Sequence, residues 1–319
     1  MRLRFWRLAL TLSALPSKYH SPHSESVMTE PAATQPDNTA LRVALWRALH
    51  MEADAPPHVF VDMVGLQLVA PEDGWRDRPD MSPFTRPFRA SIVARARFVE
   101  DLLAEQMAGG VTQYVILGAG LDTFAQRRTD LLHPLAGNGK QLQVFEIDQP
   151  GTQAWKRQRL IALGFGIPSF LHFVPVNFEA DNAWRERLVE NRFDAALPAV
   201  AASTGVSMYL TKEAVMATLR QVATLAPGSI FVMSFLLPIE LNDPDIRPGV
   251  ERAAAGAKAN GTPWLSVFTP DEIVDLARKA GFGKVEHVSA AALAQRYFSN
   301  RPDGLRPPNN SEELLVATA

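Results

Sequence analysis

The chain has 319 residues, of which 47% are hydrophobic and 21% charged, and its formal net charge is −2. This balance is typical of a globular protein with a large core, and it provides no general field that draws the chain onto nucleic acid or an anionic membrane. The chain contains no cysteine, which excludes disulfides, thiolate nucleophiles and cysteine-ligated metals. Its seven histidines show no metal-ligand spacing. We therefore predict no metal site and no nucleic-acid or membrane partner.

Residues 1–40 show no clear pattern of a folded element. Three arginines precede the apolar run 8–15, as in a signal peptide, but the run is short and no small-residue cleavage site follows it. Met28 offers a second start and a polar stretch follows it. We interpret residues 1–40 as disordered or as an extension upstream of the true start. No apolar run reaches the roughly 20 residues needed to span a bilayer, so we expect a cytoplasmic protein.

Residues 41–110 are predicted to be helical. Leucines recur every four residues from Leu41 to Leu49, which indicates one apolar helix face. The stretch 88–107 repeats the amphipathic pattern and is followed by two glycines, which favour a helix end. We expect this region, together with the aromatic residues near Trp264 and Tyr297-Phe298, to form a lid over the acceptor.

Residues 111–319 alternate short apolar runs with helical patterns. Each run has four to nine residues and suits a strand that is buried on both faces. The runs are Tyr114–Leu117, Leu142–Ile147, Leu171–Val176, Ala199–Ser203, Ser229–Leu237, Lys284–Val288 and Glu313–Thr318. This alternation predicts an α/β domain with a doubly wound, mostly parallel seven-stranded sheet. Because the irregular stretch 297–310 is too short for a normal crossover, the last strand is predicted to be antiparallel.

The first predicted strand leads into Gly118-Ala119-Gly120 and then directly into a helix. Ligands of doubly wound sheets bind at the carboxyl ends of the strands, where glycines let the backbone come close. A tight turn that merely needs glycine is the alternative, but the position at the start of the sheet favours a ligand. A dinucleotide site needs a third glycine where this chain has Thr123, and Asp122 places negative charge where a diphosphate would lie. The turn therefore favours a cofactor without phosphate, such as S-adenosylmethionine.

Polar residues follow the second and third predicted strands. Glu146 and Asp148 share one face of the second strand, so either carboxylate could bind the ribose hydroxyls. The alternative is that one of them caps the next helix, which we favour for Glu146. Asn177 and Phe178 could contact the adenine edge and ring, although an asparagine in a turn more often serves the backbone.

The run from Arg95 to Asp148 resembles the leucine carboxyl methyltransferase family, and most closely its bacterial S-adenosylmethionine-dependent branch. The matching stretches are Arg95-Ala96-Arg97, residues 117–123 (LGAGLDT) and residues 145–150 (FEIDQP). The similarity continues loosely through Tyr209-Leu210-Thr211 and covers most of the chain from residue 90 onward. The resemblance implies the class I methyltransferase fold, which is Rossmann-like, with an N-terminal helical lid and S-adenosylmethionine as cofactor.

The resemblance also assigns roles to single residues. Arg95 lies where the family holds the methionine carboxylate of the cofactor, with Arg97 beside it, and a guanidinium matches a carboxylate in bidentate fashion. Without the motif, we would favour a solvated helix face for either arginine. The predicted cofactor-binding residues are Arg95, Arg97, Gly118, Gly120, Asp122, Asp148, Asn177, Phe178 and Thr204.

One position departs from the family pattern. Five positions before Tyr209 the family commonly has an acidic residue, and this chain has Thr204. A role that needs a carboxylate there is lost, and the substrate need not match that of the better-known members, which methylate the C-terminal carboxylate of a protein. We predict an O-methyltransferase that transfers the methyl group in line to a small-molecule carboxylate or hydroxyl.

Two other functions stay open. An NAD(P)-dependent oxidoreductase shares the sheet and the acidic ribose ligand, but the third glycine and a Tyr-x-x-x-Lys pair are missing. A catalytically inactive S-adenosylmethionine-binding protein is the alternative that Thr204 suggests. No catalytic residue is predicted, because no motif selects among the candidate bases His58, Asp62 and His287. Arg301 could bind an acidic acceptor, but we expect it to be exposed.

Overall fold

Seven strands form the sheet in this computed structural model, which describes residues 32–132, 141–177 and 184–319. The strands are β1 (Gln113–Leu117), β2 (Gln143–Asp148), β3 (Leu171–Pro175), β4 (Val200–Ser203), β5 (Ile230–Leu236), β6 (Lys284–Val288) and β7 (Glu312–Thr318). Their order across the sheet is β3-β2-β1-β4-β5-β7-β6. Strands β1 to β5 are parallel, and β7 runs antiparallel between β5 and β6. The predicted sheet and its antiparallel last strand are confirmed.

The helices precede the sheet and connect its strands. They are α1 (Asn38–Ala53), α2 (Val64–Val69), α3 (Arg86–Ala108), α4 (Phe124–Arg127), α5 (Thr129–Leu132), α6 (Pro150–Ala162), α7 (Trp184–Glu190), α8 (Lys212–Ala223), α9 (Arg247–Ala259), α10 (Pro270–Ala280) and α11 (Ala290–Phe298). No helix of these described segments is both long enough and apolar enough to cross a bilayer.

Both faces of the sheet are covered, which explains the continuous apolar runs of its central strands. On one face, Ile116 of β1 belongs to a core with Val93 of α3 and Leu293 of α11. On the other face, Val115 belongs to a second core with Leu219 of α8. Successive residues of a strand point to opposite faces, so β1 contributes to both cores and is buried throughout. The doubly wound architecture is therefore confirmed.

Helix α1 begins earlier than the predicted start at residue 41. The Asp37 carboxylate accepts hydrogen bonds from the backbone N–H groups of Thr39 and Ala40, both at 2.8 Å, and this cap fixes the first turn at Asn38. The predicted apolar face is present, since Leu45 and Leu49 are buried. Residues 1–31, part of the predicted N-terminal extension, lie outside the described residues.

The connection between β6 and β7 contains a helix that the sequence analysis did not predict. Ser289 caps α11 by accepting a hydrogen bond from the Ala292 N–H at 3.1 Å, and the helix runs through Tyr297 to Phe298. The irregular stretch therefore begins at Ser299 rather than at Tyr297. Because α11 is only nine residues long, it adds a short cover to the sheet and still leaves β7 antiparallel.

Candidate functional site

The glycine turn after β1 is tied to the end of β2. Gly118 and Gly120 both adopt positive φ angles, 69° and 48°, which L side chains rarely adopt. The N–H of Gly118 donates to the carbonyl of Ile147 at 2.8 Å. A Cβ atom at position 118 would lie 2.4 Å from the Val206 side chain that follows β4. Glycine is therefore required where β1, β2 and β4 end together.

A cavity of about 380 Å³ lies at this edge of the sheet. Six of the predicted cofactor residues line it, and they are Arg95, Gly118, Gly120, Asp122, Asp148 and Thr204. The first turns of α1 close the other side through Thr39 and Val43. The fold thus brings together two thirds of the predicted cofactor-binding residues, although they belong to elements that are far apart along the chain.

Asp148 is fixed by the backbone around it. Its carboxylate accepts the Gly120 N–H at 2.5 Å and the Gln149 N–H at 2.6 Å. Burial raises the pKa of Asp148, and the two backbone N–H groups oppose that shift. A carboxylate has about four lone-pair positions, so oxygen sites remain for the hydroxyls of a ribose.

Glu146 neither caps a helix nor lines the cavity, which corrects the cap that we favoured. Its carboxylate lies 2.5 Å from the Lys156 ammonium of α6, and both side chains are almost fully buried. Burial raises the pKa of Glu146 to about 7, against the opposing effect of Lys156. Glu146 therefore joins β2 to α6, and Asp148 is the acidic residue of this strand that faces the site.

Arg95 of α3 reaches the cavity over a second glycine turn. Its guanidinium is ion-paired with Glu312, the first residue of β7. Gly205 has a φ angle of 74°, and a Cβ there would lie 2.6 Å from an Arg95 nitrogen. The sequence analysis missed Gly205 and Glu312. Gly205 directly follows Thr204, so its place in the fourth-strand motif was the available signal.

Two of the predicted residues do not line the cavity. Arg97 is 46% exposed, and its Nε donates to Asp101 at 2.7 Å, one turn further along α3. Positions two apart on a helix face different directions, so Arg97 cannot share the direction of Arg95. The Asn177 oxygen accepts from Gln149 at 3.3 Å, and Gln149 lines the cavity whereas Asn177 does not. Phe178 lies outside the described residues.

A buried network joins the N-terminal helices to the glycine turn. The Asp62 carboxylate, with no exposed surface, accepts from Arg47 Nε at 2.7 Å and from the Thr123 hydroxyl at 2.8 Å. Arg47 also donates to the Leu121 carbonyl at 2.7 Å. Burial disfavours ionisation, but the charges of Arg47 and Arg127 together lower the pKa of Asp62. Asp62 is therefore an ionised anchor of this network, and because it lines neither cavity it is not placed to act as a base.

The other candidate bases also lie away from the cavities. The His58 ring contacts the backbone carbonyl of Asp54, and His287 pairs with Glu313 on neighbouring strands. The side chain of Arg301, expected to be exposed, is only 5% exposed: it donates to the carbonyls of Ala55 and Pro57 and joins the segment after α11 to the segment after α1. Among the described residues, no group of His, Asp or Glu is placed to hold a metal ion.

A second cavity, of about 420 Å³, adjoins the first. The residues that line both are Thr39, Val43, Ile92, Arg95, Gly205 and Tyr209. The second cavity is walled mainly by aromatic and aliphatic side chains, including Trp264 as predicted for the lid, whereas Tyr297 lies elsewhere and donates to Asp101. Two chambers with a common wall can hold a cofactor and an acceptor side by side.

Comparisons with known proteins point to one family. The leucine carboxyl methyltransferase family model matches residues 40–223, which is more than half of the chain. YktD of Bacillus subtilis, named as a candidate S-adenosyl-L-methionine-dependent methyltransferase, is 35% identical over 214 residues, covering 67% of this chain and 67% of YktD. A Mycobacterium avium protein named in the same way is 34% identical over 200 residues, covering 60% of this chain and 62% of that protein. The alignments thus span about two thirds of these relatives' own length.

Two solved structures share the fold at low sequence identity. A DUF574 family protein from Streptomyces avermitilis is 18% identical with a TM-score of 0.52, covering 89% of this chain and 97% of that chain. A candidate methyltransferase from Thermobifida fusca is 19% identical with a TM-score of 0.54, covering 89% and 95%. These similarities concern the arrangement of the strands and helices alone.

Proposed function

Because the chain belongs to the leucine carboxyl methyltransferase family and is an S-adenosylmethionine-dependent methyltransferase, we propose that it methylates an oxygen atom of a small molecule. The observation that carries this proposal is the pair of adjoining cavities. One ends at the glycine turn and Asp148, and the other is apolar. Their common wall includes Arg95 and Tyr209.

The first cavity fits S-adenosylmethionine by the chemistry of its residues. Asp148 offers carboxylate oxygens to the ribose hydroxyls, and Arg95 offers a guanidinium to the methionine carboxylate. The Asp122 carboxylate accepts the Phe124 N–H at 2.8 Å at the start of α4. That negative charge disfavours a diphosphate at this helix end. The Asp122 charge thus favours this cofactor over a nicotinamide dinucleotide, the alternative that the sequence left open, whereas the ribose contact of Asp148 suits either.

The protein's contribution to methyl transfer is alignment and exclusion of water. S-adenosylmethionine, with its ribose held by Asp148 and its methionine carboxylate by Arg95, would supply a methyl group that is already activated for transfer, and S-adenosylhomocysteine would be the product. Val43, Ile92 and Tyr209 are among the six residues that line both cavities, so a cofactor in the first cavity and an acceptor in the second would lie next to each other. Among the described residues, no histidine lines either cavity. A carboxylate acceptor, which needs no general base, is therefore placed ahead of a hydroxyl.

The test is methyl transfer from S-adenosylmethionine labelled in its methyl group to a panel of small carboxylic acids and phenols. We expect labelled product from the wild-type protein and a large loss of rate in Asp148→Ala. Mild alkali then separates the acceptor types, because it hydrolyses methyl esters and leaves methyl ethers intact. Cofactor binding without transfer to any acceptor would support the inactive binding protein instead. The cytoplasmic location stays a prediction from the sequence.

A further inference from the structure

The second cavity has an aromatic and aliphatic wall. Trp46 of α1, Phe88 of α3 and Trp264 contribute rings, and Met208 and Leu237 contribute aliphatic surface. Its volume of about 420 Å³ lies in the range of small-molecule sites. Such a wall favours a ligand with a flat apolar body, since burial of apolar surface is the main source of its binding energy.

The acidic side chains of this wall are neutralised by partners of their own. Asp80 is held by Arg78 through two hydrogen bonds, at 3.0 and 2.6 Å. Glu312 is ion-paired with Arg95. Neither carboxylate therefore adds net negative charge to the cavity.

Two arginines of the same wall have no such partner. In the described part of the chain, the side chains of Arg42 and Arg252 make no ion pair and no hydrogen bond. The Arg42 Cζ lies 5.5 Å from the centroid of the Trp46 ring, and the Arg252 Cζ lies 4.7 Å from that of Phe84. Arg42 Nε is also buried, with no acceptor among the described residues. A buried N–H group without an acceptor is costly unless a ligand supplies one.

The charges and the apolar wall together indicate the class of ligand. Two unpaired guanidinium groups in a largely apolar cavity leave a positive excess. The charge of Arg42, which is partly buried, acts more strongly there than in bulk water, whereas Arg252 is exposed and acts less strongly. A guanidinium stacked on a ring keeps its fork orientation, which suits a carboxylate. The ligand with complementary chemistry is a ring system that carries an anionic group.

The position of the arginines separates this anionic group from the reacting atom. The acceptor oxygen must lie at the wall common to both cavities, and neither Arg42 nor Arg252 belongs to that wall. We propose that the methyl acceptor is an aromatic carboxylate with a second oxygen function, and that Arg42, assisted by Arg252, binds the carboxylate that is not methylated. This inference rests on the proposed function, because it names the class of its acceptor.

The test measures binding of monomethyl terephthalate, which keeps one free carboxylate beside its methyl ester, and of its neutral amide to the protein loaded with S-adenosylhomocysteine. We expect the acid to bind at least about 10-fold more tightly than the amide in the wild-type protein, the size of one charge-assisted contact. Arg42→Gln should bring the two affinities within about 2-fold, because the guanidinium is lost. Arg42→Lys should recover part of the preference, since it keeps the charge without the fork.

The matched control is Arg220→Gln. Arg220 is an exposed arginine of α8 that lines neither cavity, so its substitution should leave the preference unchanged. Melting temperatures of all variants show whether each is folded. Equal affinities for acid and amide, binding of neither probe, or an unchanged preference in Arg42→Gln would overturn the inference. The affinity for S-adenosylhomocysteine, measured in the same titrations, shows separately whether the cofactor assignment holds.

Discussion

Arg95 and Arg97 lie two positions apart on one helix, and the structure gives them different partners. Arg95 lines both cavities, whereas Arg97 turns outward to Asp101. We expect Arg95→Ala to weaken S-adenosylmethionine binding by roughly 10- to 100-fold, the loss of charge-assisted hydrogen bonds to a carboxylate. Arg97→Ala should change the affinity by less than about 2-fold, because an exposed pair contributes little. Calorimetric titration with S-adenosylmethionine measures both affinities. An equal loss of affinity in the two variants would contradict this placement of the arginines.

Residues that act through distant partners are the ones that the sequence could not assign. Arg95 is recognisable from its motif, but its partner Glu312 lies 217 positions further along the chain. The position of Glu146 at the end of a strand suggested a ribose ligand or a helix cap. Only the packing of α6 brings Lys156 next to it. Arg301 is another such residue, because the groups to which it donates are backbone carbonyls near residue 56, far away along the chain. Local sequence patterns and motifs do not show which residues that are distant along the chain form such pairs.

At the scale of elements, Asp62 is the residue that connects the N-terminal helices to the glycine turn. Asp62→Asn leaves Arg47 and Arg127 buried beside a neutral group, so we expect a destabilisation of about 3–5 kcal/mol. Asp130→Asn, at an exposed pair with Arg128, should cost less than about 1 kcal/mol. Urea unfolding measures both free energies. Equal costs in the two variants would show that the Asp62 network does not hold these elements together.

The same residue predicts a dependence on pH with a definite sign. The pKa of Asp62 is lower in the folded protein than its ordinary value of 3.8. A depressed carboxyl pKa contributes stability that is complete above the unfolded value and is lost as the pH falls through the folded value. The difference in unfolding free energy between wild type and Asp62→Asn should therefore be constant above about pH 5 and shrink below about pH 4. A difference that grew on acidification would contradict the assignment.

The strands and α11 show why some elements were predicted and others not. A strand buried on both faces needs a mainly apolar run, and β1, β2, β4 and β5 have one bounded by turn residues. Helix α11 has only nine residues and two buried apolar side chains beyond Ala290, so its periodicity is short. Its capping residue Ser289 was the remaining signal, and a single cap is weak evidence without a periodic stretch after it.

On the scale of the whole molecule, the site is assembled from both ends of the described chain. The cavity edge combines α1 near residue 40, the turns after β1 and β4, and, through Glu312, the start of the antiparallel strand β7. The alternation of elements predicts the parallel sheet, and the sheet in turn predicts that the ends of β1, β2 and β4 meet. The sequence named the helical region 41–110 and the segment around Trp264 as a lid, but no local pattern encodes how α1, α3, α9 and that segment pack together to form the second cavity.

Because elements from both ends of the described chain form the proposed cofactor cavity, its ligand should stabilise the fold. A ligand that binds only the folded protein, present at about 100 times its Kd, adds about 2.7 kcal/mol, which raises the Tm of a chain of this size by roughly 5 °C. We expect this shift with S-adenosylmethionine and S-adenosylhomocysteine, and none with NAD+ at the same concentration. Asp148→Ala should reduce the shift, since its carboxylate lines the cavity. A shift with NAD+ alone would show that the cavity serves a dinucleotide, despite the negative charge of Asp122 at the start of α4.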